Sequence, residues 1–152
     1  MADAVVLKGE ARDVALAEAQ AVLAMVQDAE RRERLVSLVT AADEGAVAGE
    51  DADALEELLE LGLQTGRLRA LYGPGGEQAA LQTYRRLPSG SAASESARDV
   101  SSALATLVGE QLEAVSVSAL GPGAFSLTLA AAGRELTVKL DQSGVSLASV
   151  GA

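Results

Sequence analysis

The sequence predicts an α+β fold: a helical N-terminal region of about four helices, then a further helix and a four-stranded antiparallel β-meander. Three observations carry that expectation. Apolar residues recur at the helical period of 3.6 as far as Leu112. From Val115 the period drops to 2, in short runs separated by Gly-containing turns. The apolar complement is Ala, Leu and Val with only three aromatic residues, Tyr72, Tyr84 and Phe125, a composition suited to helices packed on helices or on a sheet.

Residues 10–42 read as helix, with Val14, Ala15, Ala19, Val22, Leu23 and Val26 on one broad arc. Glu18 intrudes on that arc, which places it near a helix end or an edge. Arg31-Arg32-Glu33-Arg34 interrupts the pattern before Leu35, Leu38, Val39 and Ala42 resume it, so one helix bends there or two helices meet. Residues 43–53 are acidic, contain Gly45 and Gly49, and read as a loop. Asp51 or Asp53 then caps a helix whose stripe is Leu55, Leu58, Leu59 and Leu63 and whose stop is Gly66.

A short segment, 67–72, leads into Gly73-Pro74-Gly75-Gly76, a strong turn signal. A helix over 77–87 follows and stops at Pro88. Residues 88–96 are small and polar and read as a linker. A last helix over 94–113, capped by Ser94, carries Val100, Leu104, Leu107 and Leu112. The strands after it break at Gly121-Pro122-Gly123, Ala132-Gly133 and Ser143-Gly144. Their Val/Leu/Phe face is expected to pack on the 94–113 helix and their Ser/Thr face to meet water. The organisation expected is therefore an acidic helical region over 1–87, a linker over 88–96, and a helix with its meander over 97–152. Whether the two regions share one core is left undecided by the sequence, although the low aromatic content favours shared burial because each alone is small.

Charge is divided along the chain. Residues 1–66 hold 15 of the 22 carboxylates and 5 of the 12 Lys/Arg, a net −10, while residues 67–152 carry seven of each sign. Such a charge repels nucleic acid and anionic lipid and favours a protein partner with a basic surface. His, Cys and Trp are absent, which removes the commonest proton shuttle, the thiolate nucleophile, disulfides and Cys- or His-ligated metals. No cofactor is expected. No basic n-region with an apolar h-region opens the sequence, and no run of 18 apolar residues occurs, so neither a signal peptide nor a membrane span is expected. Arg exceeds Lys ten to two and Ala is abundant, which points to a GC-rich bacterial genome and, with the lack of cysteine, to the cytoplasm.

Two segments carry what chemistry the sequence offers. Glu50, Asp51, Asp53, Glu56 and Glu57 form the densest acidic cluster. They lack the Gly-bearing loop of an EF-hand, and a solvated helix cap and first turn accounts for them. Around the Gly-rich turn, Arg67, Arg69, Arg85 and Arg86 oppose Glu77, giving residues 67–86 a net +3, with Tyr72 adjoining. Backbone N–H groups in such a turn can cradle phosphate. No P-loop or dinucleotide fingerprint is present, and Glu77 sits where an anion would bind. Two functions follow as expectations. One is a non-enzymatic protein-interaction module, an adaptor, regulatory subunit or small scaffold, that uses these ten charged and aromatic residues as contacts. The other is an anionic-ligand or carboxylate/Arg catalytic domain centred on residues 73–76. Self-association is expected through the C-terminal edge strand 144–152, which carries no charged gatekeeper.

Overall fold

A computed structural model describes residues 3–151. The chain divides into two compact units, Met1–Ser91 and Ala92–Ala152.

The first unit is built from β1 (Val5–Val6), α1 (Glu10–Met25), α2 (Ala29–Glu44), β2 (Ala46–Val47), α3 (Gly49–Gln64) and α4 (Arg67–Tyr84). The stretch 10–42 is two helices, and the break falls at Val26–Asp28, ahead of the arginine run. Extended backbone at Val26 ends α1, and Asp28 caps α2 by accepting from Arg31 N at 2.8 Å. Arg32 Nη1 reaches back to the Leu23 and Val26 carbonyls at 3.1 and 3.0 Å, satisfying acceptors that the end of α1 leaves open. The arginines thus lie inside α2 and Arg32 ties down the joint, so their charge does not mark the bend.

The acidic segment 43–53 is ordered more than a loop. Gly45 takes a left-handed conformation after α2, and Leu7 N donates to its carbonyl at 2.8 Å. β2 then pairs antiparallel with β1, Val5 opposite Val47 and Val6 opposite Ala46. Ala48, neither Asp51 nor Asp53, occupies the N-cap of α3, and Glu50 and Asp51 stand in its first turn. Leu55, Leu58 and Leu59 face inward there, joining Leu7, Val14, Ala19, Leu35, Leu38, Val47, Leu68, Ala80 and Leu87 in the core of the unit.

The Gly-rich segment is a kink inside a helical stretch. α4 runs through it, but Gly73 alone departs from helical geometry, at φ 73 and ψ −178. That region of backbone space is open to glycine and costly for other residues. Pro74 then opens the second half of α4, a first-turn position where its missing N–H is harmless.

Residues 88–96, expected as a linker, belong to α5 (Pro88–Ala105). Pro88 starts the helix, and a carboxylate from α3 caps it, as described below. The last helix therefore begins earlier than expected and ends earlier too. Gly109 adopts φ 84 past its end, and Leu112 is the first residue of a strand, outside any helical stripe.

The second unit continues with β3 (Leu112–Gly121), β4 (Ala124–Ala131), β5 (Arg134–Asp141) and β6 (Gly144–Gly151), an antiparallel meander in sequence order with β3 and β6 at its edges. The turns are the predicted ones. Asp141 accepts from Ser143 N at 2.9 Å and from Ser143 Oγ at 2.5 Å in the last, an Asx turn that holds its carboxyl below the usual range. The register sets three apolar rows across the sheet: Val115, Leu129, Leu136 and Val150; Val117, Leu127, Val138 and Leu147; Ala119, Phe125, Leu140 and Val145. A bulge at Ala148 keeps Val150 on this face. The opposite face carries Ser116, Thr128, Thr137, Ser118, Ser126, Lys139 and Ser146, with Thr128 and Thr137 Oγ1 atoms 3.1 Å apart. The expected helix cover is partial. Ala103, Leu104 and Leu107 pack on Leu129, Ala131 and Leu136, at one end of the apolar face.

Candidate functional site

Three clusters hold the functional candidates in the first unit. One surrounds Glu18, which is 0% exposed in the middle of α1 and not at an edge. A carboxylate cannot be left there without partners. The Arg67 guanidinium meets Glu18 Oε2, and the Tyr72 hydroxyl donates to Oε1 at 2.8 Å. Arg67 and Tyr72 come from the first half of α4, so the two candidates bracket the interior of the unit and bind α4 to α1. Burial, the hydrogen bond to Glu18 and its charge push the Tyr72 phenol up to about 12. At neutral pH that phenol is a fixed donor, far from the range of a general base.

Glu56 holds the second cluster together. It stands on α3 and is 9% exposed. Its Oε1 accepts from Ser89 N at 2.5 Å and from Gly90 N at 3.3 Å, and its Oε2 accepts from Ser89 Oγ at 3.0 Å. These N–H groups are the open donors of the first turn of α5. The carboxylate serves as a cap supplied from another helix. Gly90 is needed where α5 starts close against the end of α4, because a Cβ there would stand 1.9 Å from the Tyr84 carbonyl oxygen. The Tyr84 phenol is raised by burial and by the Glu60 and Glu56 charges.

The remaining acidic candidates line shallow open grooves between α2 and α3. Glu50 and Asp53 face Glu30, Glu33, Arg34 and Ser37 in one groove, and Glu57 meets Asp28, Arg31 and Arg34 in its neighbour. Positions 50, 53 and 57 share one side of a helix. Asp51 is half-buried in the first turn of α3, away from those grooves.

The four arginines around the Gly-rich turn do not act as one patch. Arg67 is taken up by Glu18. Arg69, two positions on and turned away, lies 3.6 Å from Glu77. Arg86 Nη1 donates to the Val6 carbonyl at 3.0 Å, and Arg85 is exposed. Beside the turn, the Glu10 carboxylate lies so close that a Cβ on Gly75 would meet its oxygens at 3.2 and 3.3 Å. A carboxylate of the chain thus stands where a phosphate would approach the second half of α4. Among the described residues, no group of three acidic side chains is placed to hold a metal ion, and no helix is long and apolar enough to cross a membrane.

Two features escaped the sequence. Glu18 lay in plain view as a carboxylate on an apolar arc, and that was a signal of a buried pair. The exposed apolar face of the sheet gave no signal, because the same alternation is compatible with full cover. No protein-family model, curated protein or solved structure matches the chain.

Proposed function

We propose that this chain is a non-enzymatic protein-interaction module, an adaptor, regulatory subunit or small scaffold of a bacterial cytoplasm, whose partner presents a basic surface. The observation that carries this reading is the α2–α3 groove wall, where Glu50, Asp53 and Glu57 on α3 stand exposed opposite Glu30 and Glu33 on α2. The polar groups best placed for chemistry support it in a second way. Glu18, Arg67, Tyr72 and Glu56 are each engaged in bonds that join one helix to another. Arg31 and Arg34 break the acidic surface and would set the register of a partner carrying both signs. Charges of this kind govern association rate and partner choice more than affinity.

The test is affinity purification of the full chain from its native host, repeated with Glu50→Lys, Asp53→Lys and Glu57→Lys combined. The expected result is a captured protein that is lost from the triple variant and released by raised salt. Capture unchanged by both would remove the acidic groove from the account.

A further inference from the structure

The apolar face of the four-stranded sheet is open along its edge strands β3 and β6 and at Phe125 and Leu140, whereas Leu136 and Val138 on β5 are buried. Val115, Val117, Phe125, Leu140, Leu147 and Val150 all point to it and are 55, 65, 45, 41, 36 and 65% exposed. α5 reaches only the end beside Ala131 and Leu136. We propose that this face is closed by the same face of a second copy of this chain, giving a two-fold symmetric pair of sheets.

Two properties favour a second copy over another occupant. The first is charge. Each copy carries a net −10 concentrated before Gly66, so that region repels another copy. The three apolar rows contain no ionisable residue, and Arg134 stands beyond them, opposite Ala131 at the end that Leu107 covers. Two copies meet there without opposing any like charges. A basic partner gains nothing from such a surface, whereas a second copy always brings a matching one. The second property is area. The six exposures leave on the order of 600 Å² open per copy, at the upper limit for a monomer's largest apolar patch and, doubled, at the lower limit of a stable interface. Two sheets with aligned strands pack face to face through such rows at about 10 Å. The bulge at Ala148 extends the apolar row to β6 at the sheet edge, so the face is apolar across all four strands.

Light scattering on the eluting full chain at about 0.1 mM decides the question, a concentration high enough to reveal a weak interface at the small end of the size range. The expected mass is twice the 15.4 kDa of one chain. Val117→Lys with Leu147→Lys should return it to one chain with an unchanged circular dichroism spectrum. The milder pair Val117→Thr with Leu147→Thr, which keeps the strand preference, should weaken association at least about tenfold. Ser118→Lys with Ser146→Lys, on the opposite face of the same strands, should leave the dimer intact. A monomeric wild type overturns the proposal. So does dissociation by the serine pair in place of the apolar pair, which would assign assembly to the strand edges or the polar face.

Discussion

Replacing Glu18 by alanine removes the charge around which α1 and α4 are joined. The side chain is 0% exposed and accepts from the Arg67 guanidinium and, at 2.8 Å, from the Tyr72 hydroxyl. Breaking a buried ion pair from one side costs about 3–5 kcal/mol, and an orphaned donor adds to that loss. Arg67 keeps 34% of its side chain exposed and can turn to water, which brings the cost to the lower end, about 3 kcal/mol. Glu18→Gln keeps the shape and one acceptor for Tyr72, so it should cost about 1–2 kcal/mol. Against a total stability of about 5–15 kcal/mol for a domain, the two variants are well separated. The assay is urea unfolding of the full chain followed by far-UV circular dichroism, since the sequence has no Trp to report. A loss below about 1 kcal/mol in Glu18→Ala, or equal losses in the Ala and Gln variants, would contradict a buried ionic tie. Either result would mean that the ionised pair does not hold α4 in place.

Four more outcomes follow from the two buried carboxylate clusters and the groove. The folded Tyr72 pKa of about 12 lies above its ordinary 10.0, so the phenol's contribution is complete below pH 10 and is lost as pH rises toward 12. Tyr72→Phe should flatten that alkaline loss in thermal melts, and an identical pH profile would contradict the assignment. Glu56→Ala uncaps α5 and should cost about 1–3 kcal/mol, with hydrogen exchange rising first at Ser89 and Gly90. Gly90→Ala places a methyl group 1.9 Å from a carbonyl oxygen and should destabilise by more than about 2 kcal/mol in the same melts, while the exposed Glu57→Lys should stay within about 0.5 kcal/mol.

The arrangement of elements was legible because each carries its own period. The strands alternate over eight to ten residues between glycine turns, and local sterics place them whatever lies around. Helix ends were less legible. Asp28 ends the α1–α2 joint in concert with Arg32, which looked like part of an interruption. The segment 88–96 reads as a linker by composition, yet it is helical because Glu56, more than 30 residues away, binds its first turn. Of the ten candidate residues, Arg67, Tyr72 and Glu56 turned inward to internal partners, while Glu50, Asp53 and Glu57 gathered along α2. Helical spacing separates Glu56 from Glu50, Asp53 and Glu57 on α3, but it does not say which distant groups each side of the helix meets.

The α+β class, the meander order, the turn positions to within a residue and the concentration of negative charge before Gly66 can all be read from the order of residues. These depend on interactions over a few residues: side-chain period, glycine at turns, and charge counts. Packing in three dimensions makes Glu18 a buried tie, makes the Gly-rich segment a kink in a helix, and leaves the edge strands of the sheet's apolar face open. Those outcomes depend on which surfaces meet. The burial of a carboxylate, or the exposure of a valine, is set by neighbours far away in the sequence.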